Sequence, residues 1–112
     1  MKVAVIGSRG ILIDDPGKYL PKETTEILSG GASGVDSCAE NYARKHHIPF
    51  TVFLPAYEKF GRCAPLKRNL EIIENADLVL AFWDGSSHGT KHVIDNCRKT
   101  GWPVQIHILP AL

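Results

Sequence analysis

The chain predicts an α/β fold: a single, doubly wound, mostly parallel five-stranded Rossmann-like sheet with helices on both faces. Two observations carry this. Short apolar runs at residues 2–6, 26–29, 50–54, 78–83 and 104–109 alternate with stretches of helical spacing. Continuous apolar character is what a strand needs when both of its faces are covered. Strands that take turns with helices build a parallel sheet, and right-handed crossovers then favour the doubly wound order.

The elements follow in order. Residues 2–6 form a buried strand ended by Gly7. Residues 15–22 are ambiguous, a short helical turn opened by Asp15-Pro16 and broken at Pro21. Residues 26–29 are a second strand stopped by Gly30-Gly31, and a helix then spans 34–47 with Val35, Cys38, Ala39, Tyr42 and Ala43 at helical spacing. Residues 50–54 are a third strand closed by Pro55, and 56–64 read as a loop. Pro65 suits the first position of the next helix, whose apolar face is Leu66, Leu70, Ile73 and Ala76. Residues 78–83 are the most hydrophobic strand, set between Asp77 and Asp84-Gly85. A last helix covers 90–100, with Gly101 as its C-terminal cap, and 104–109 form the fifth strand.

At 112 residues the chain fits one domain. Its 44% hydrophobic and 22% charged composition is that of a globular protein. A net charge of +1 excludes a strong global field toward nucleic acid or membrane, though it leaves room for a local patch. No apolar run approaches the ~20 residues that span a bilayer, and the run at 2–6 is too short for a signal peptide. Three cysteines (Cys38, Cys63 and Cys97) without a C-x-x-C pair point to reduced thiols in a cytoplasm.

In a doubly wound sheet, ligands sit outside the carboxyl ends of the strands. Here those ends carry Gly7-Ser8-Arg9-Gly10, Ser29-Gly30-Gly31-Ala32-Ser33-Gly34, and Asp84-Gly85-Ser86-Ser87-His88-Gly89-Thr90. Glycine lets backbone N–H groups approach an anion, and the later loops feed helix N-termini with partial positive charge. Any one such loop is also an ordinary tight turn; three on one edge favour a phosphate cradle. Ser33-Gly34-Val35-Asp36 matches a capping box, so Asp36 reads as a cap that also faces a ribose hydroxyl. Lys67 and Arg68 lie in a helix first turn, where the macrodipole disfavours cations unless a phosphate is bound there. Lys67 and Lys91 suit solvent, whereas Arg68, with Asn69 as a base or ribose contact, suits a ligand.

Other chemistries fail on spacing. Gly85 to Lys91 is one residue short of a P-loop, and no G-x-G-x-x-G is present. His88 precedes the last helix and has no ligand set with His92, so no metal site is expected. Cys38 and Cys97 fall on apolar faces, and Cys63 lies in a loop beside Arg62.

Taken together, these pieces resemble the SLOG superfamily and, within it, the small DUF2493 (YspA-like) group. The matching segments are Gly7-Ser8-Arg9, Ser29 through Asp36, Gly61-Arg62 leading to Ala64-Pro65 and Arg68-Asn69, Ala76-Asp77-Leu78-Val79, and the Gly89-Thr90 helix start. The resemblance implies a Rossmann-like fold that binds nucleotides or nucleotide-derived ligands. It also implies kinship to the DNA-processing protein A family, which binds single-stranded DNA, and to the lysine-decarboxylase-like phosphoribohydrolases. The latter carry P-G-G-x-G-T-x-x-E, and here Val93 stands where that catalytic glutamate would be. An apolar side chain cannot act as a base.

The leading expectation is binding or sensing of an ADP-ribose- or NAD-like ligand, with no cofactor required. Phosphates lie over the loop from Gly30 to Gly34 and over Gly89-Thr90, Arg9 and Arg68 supply charge, and Trp83 either stacks on a base or packs at its strand end. The alternatives are N-glycosidic hydrolysis using Asp36 or Asp84, and single-stranded nucleic-acid binding, against which near-neutral charge weighs. A homodimer fits sheets of this kind.

Overall fold

The computed structural model describes residues 1–31 and 33–110. Five strands, β1 (Lys2–Gly7), β2 (Glu26–Ser29), β3 (Phe50–Val52), β4 (Leu78–Trp83) and β5 (Val104–Ile108), form one sheet in the order β3-β2-β1-β4-β5. Every neighbouring pair is parallel. The helices are α1 (Val35–Lys45), α2 (Tyr57–Phe60), α3 (Ala64–Asn75) and α4 (His88–Thr100). This is the Rossmann-like, doubly wound architecture that the alternating pattern predicts.

The two-residue repeat of a strand divides the apolar side chains between two cores. On one face Val3 and Val5 of β1, Ile27 of β2, and Leu78, Leu80 and Phe82 of β4 pack with Val35, Ala39 and Ala43 of α1. On the other, Ala4, Ile6, Leu28 and Val79 meet Ile72 and Ile73 of α3 and Val93 and Cys97 of α4. Phe82 is the largest fully buried side chain. Tyr19 approaches its ring edge-on at 4.9 Å, and His107 stacks on it at 5.1 Å. Among the described residues, no helix is long and apolar enough to cross a membrane.

Several boundaries differ from the sequence expectations. The ambiguous stretch at 15–22 contains a 3-10 turn, Pro16–Lys18, capped by the Asp15 carboxylate accepting from the Gly17 N–H at 3.1 Å. The first long helix is shorter than 34–47, because His47 adopts a left-handed φ of 56° just past the His46 cap. The third strand stops at Val52 rather than Leu54; Phe53 makes one last bond to the Ser29 carbonyl at 2.8 Å, and Pro55 has no N–H with which to continue. The expected loop at 56–64 holds α2 and a 3-10 turn, Gly61–Cys63. The apolar stripe of α3 is also rotated. Leu66 is exposed, and the buried positions are Ala64, Asn69, Ile72 and Ile73. Asn69 occupies a position where an apolar residue would have marked that face. The last helix begins at His88 rather than Thr90, so His88 is its first residue.

Gly7 is where the first strand meets its neighbours most closely. A Cβ there would lie 2.6 Å from Val35 Cγ2 and 2.7 Å from the Phe82 carbonyl oxygen. Gly7→Ala is therefore expected to destabilise the fold by about 1–3 kcal/mol through overpacking. Urea unfolding measures this, and an unchanged midpoint would contradict the close approach.

Candidate functional site

Because the strands are parallel, all of their carboxyl ends lie on one edge. From β1 the chain winds outward through β2 to β3, and it returns to the other side of β1 to make β4 and β5. The switch point is therefore between β1 and β4, and a cleft of about 450 Å³ opens there. It is lined from β1 by Gly7, Ser8, Arg9 and Gly10, from the end of β2 by Gly30, and from α1 by Asp36. The starts of α3 and α4 supply Pro65, Arg68, Ser87, Gly89, Thr90 and Val93, and Asp84 closes the lining together with Ile6.

Gly30 is the most tightly held point. Its N–H donates to Asp36 Oδ2 at 3.2 Å, and its carbonyl accepts from Arg68 Nη1 at 2.8 Å. The backbone of one residue thus ties the end of β2 to α1 and α3. A Cβ on Gly30 would lie 2.8 Å from Arg68 Nη1, so a side chain there would push the guanidinium from this position. Asn69 is buried, and its Oδ1 accepts from Arg68 Nε at 3.0 Å. Its place is behind the arginine, outside the cleft lining, where it holds the guanidinium plane.

The capping-box register also shifts. The N-cap of α1 is Gly34, not Ser33, and it has a φ of 73°. A Cβ at Gly34 would run into the Arg9 carbonyl oxygen. Only glycine lets the β1 loop pack there, and Asp36, in the first turn of α1, turns its carboxylate toward Gly30.

On the opposite wall, Asp84 organises the loop before α4. Its Oδ1 accepts from the Ser87 N–H at 2.8 Å and the Ser86 N–H at 2.9 Å, and its own N–H donates to Ser8 Oγ at 3.3 Å. The backbone N–H groups of Ser86 and Ser87 favour the ionised form and hold the Asp84 carboxyl below its usual value. Trp83 is turned away from the cleft lining, with its indole N–H donating to the Ser87 carbonyl at 3.0 Å.

Of the sequence-predicted residues, the cleft gathers Gly7, Ser8, Arg9, Gly30, Asp36, Arg68, Asp84, Gly89 and Thr90. It does not gather Ser29, Gly31, Ser33, Gly34, Asn69, Trp83 or Gly85 into its lining; Ala32 is outside the described residues. Ser29 is buried and accepts from the Gly31 N–H at 3.3 Å, and Gly31 packs toward Val52 and Leu54. The cleft also includes Ile6, Pro65 and Val93, which sequence reasoning did not assign to it, and Gly10 and Ser87, which it placed in the strand-end loops without a contact of their own. Pro65 and Val93 were legible as helix start and inward face, and both helix N-termini aim at this edge.

The electrostatic character follows from what is missing around these groups. Neither α3 nor α4 has an acidic residue in its first turn, and neither has a side-chain cap. The salt bridges among the described residues, Arg44–Glu40 and Lys91–Asp95, involve neither Arg9 nor Arg68. Among the described residues, no three His, Cys, Asp or Glu side chains come together to hold a metal ion.

Asp84→Asn keeps the Oδ1 acceptor and removes the charge. A carboxyl depressed in the folded state adds stability above its unfolded value, near 3.8, and that stability is lost as pH falls through the lower folded value. The variant is therefore expected to be less stable than the parent at pH 7 and to show a flatter fall in stability below pH ~4. Urea midpoints measured from pH 7 to pH 2.5 check this; parallel curves for the two proteins would remove the assigned role.

No family model and no solved structure matches the chain. It is similar to the Gene 61 protein of Mycobacterium phage D29, with 36% identity over 84 residues that cover 70% of this chain and 67% of that protein. At that identity and coverage, the chain belongs to the family of the mycobacteriophage Gene 61 protein.

Proposed function

We propose that the chain binds a nucleotide or nucleotide-derived anion, of AMP, ADP-ribose or NAD type, in the cleft between the ends of β1 and β4, as a binding or sensing module. One observation carries the reading. Two helices open onto the cleft without a side-chain cap or an acidic first turn. The Thr90 side chain lines it at 4% exposure. Helix N-termini of this kind take phosphate. Gly89 leaves the first turn of α4 open to close approach, and a Cβ there would meet nothing within 4 Å.

In this reading a phosphate accepts from the Gly89 and Thr90 N–H groups and from the Thr90 hydroxyl, and Arg68 adds a charged donor held by Asn69. Arg9 closes the rim. Such a role agrees with the resemblance to the SLOG superfamily. Val93, 1% exposed, lines the cleft where a phosphoribohydrolase of that superfamily would place its glutamate, and this weighs toward binding over turnover. The three free cysteines suit a reducing, cytoplasmic compartment.

Isothermal titration with AMP and ADP-ribose tests the reading. Arg68→Ala is expected to weaken binding about 10- to 100-fold, the range for a charge-assisted hydrogen bond. Thr90→Val is expected to weaken it roughly 3- to 10-fold, as for a neutral one. Unchanged affinity in Arg68→Ala, or no binding by the parent to either ligand, would overturn it.

A further inference from the structure

The sheet has two outer strands, β3 and β5, and they are unequal. β3 holds three residues and is followed closely by Pro55, whereas β5 holds five. At the start of β5 the Pro103 carbonyl accepts from the Val79 N–H at 3.0 Å. Past its end the Leu109 N–H donates to the Trp83 carbonyl at 2.9 Å. Backbone groups in a parallel ladder change sides from one residue to the next, so Gln105 and His107 also bond β4, opposite Leu80 and Phe82. The N–H and C=O groups of Val104, Ile106 and Ile108 therefore point away from the sheet.

Proteins guard such an edge with charged side chains, a proline or a bulge. β5 has none of these: its register against β4 is unbroken, and its sequence is Val-Gln-Ile-His-Ile. From Thr100 to Pro110 there is no Asp, Glu, Lys or Arg, in a chain that is 22% charged. Ile106 is half-buried, and Ile108 is 68% exposed.

The charge pattern selects the occupant. About a two-fold axis every residue meets its counterpart at the same distance from the axis, so a charge near the axis would face its own copy. β5 brings none. An antiparallel pairing centred on Ile106 sets Ile106 against Ile106, Val104 against Ile108 and Gln105 against His107. Apolar side chains meet on one face of the joined strands. On the other face an amide that donates and accepts meets an imidazole that does the same. A foreign strand must match this order through its own sequence, whereas a second copy matches it by symmetry.

We infer that the chain forms a homodimer in which β5 pairs antiparallel with β5 of a second copy, joining the two sheets into one. About six backbone hydrogen bonds close the two edges, because each facing pair of outward residues exchanges both of its bonds. No residue of β5 lines the cleft, so the dimer leaves both clefts open, at opposite ends of the joined sheet. The inference is independent of what the cleft binds.

Sedimentation from ~5 to ~200 μM measures the association, and amide hydrogen exchange locates it. The parent is expected to be dimeric at the upper end of this range. Ile108→Lys, at an exposed position, is expected to fold and to be monomeric throughout. The amides of Val104, Ile106 and Ile108 are expected to exchange at least tenfold more slowly in the parent dimer than in this variant. Those of Gln105 and His107, bonded to β4, are expected to be protected in both. Leu54→Lys, beside the other outer strand and 72% exposed in the parent, is expected to stay dimeric. A parent that is monomeric up to ~200 μM would overturn the inference and leave this edge to a foreign strand. A dimer that survives Ile108→Lys, or that Leu54→Lys dissociates, would overturn it too. So would a dimer whose Val104, Ile106 and Ile108 amides exchange as fast as those of the monomer.

Discussion

All five strands run the same way, and most of what this molecule can do depends on that. In a parallel sheet every strand ends on the same edge, and the chain must cross over through a helix that starts on that edge. The reversal of winding between β1 and β4 leaves a gap that no crossover covers. Into it point the first turns of α3 and α4, the loop after β1 and the Gly30 peptide. The edge proposed for binding is thus a consequence of topology before any side chain is considered, and in that proposal the side chains decide only the sign of charge it accepts.

That sign is set by a few contacts. Asp36 and Arg68 grip the N–H and the carbonyl on either side of Gly30, so a carboxylate and a guanidinium are both present and both engaged with the backbone. Asp84 directs its carboxylate into its own loop, where two backbone N–H groups occupy one oxygen. The negative charges near the site are therefore engaged in holding loops. The positive ends of two helices, Arg9 and part of Arg68 are left to face the opening.

The sequence made the sheet legible because each strand except the edges is apolar on both faces, and Leu78 to Trp83 could be little else. It misplaced the elements where polar residues do apolar work. Asn69 sits on the buried face of α3 in order to hold Arg68, and its polarity rotated the apparent stripe toward Leu66, which lies in solvent. The site was legible at the level of loops, since Gly7, Gly30 and Gly89 are all where backbone or a guanidinium comes close or space is left open. Individual roles were less so. Nothing in the string Trp83-Asp84-Gly85-Ser86-Ser87 says that the indole and the carboxylate would both be spent on Ser87, because those bonds depend on the turn the loop makes.

The central claim is that this edge is a phosphate site, and an amide-resolved NMR titration with AMP tests it most directly. The account predicts that the largest shifts fall on the amides of Gly89, Thr90, Gly30 and Ser8 to Gly10, with the Arg68 Nε–H signal moving with them. Shifts confined to the separate groove between Asp14 and His46, or no shift at millimolar AMP, would contradict it.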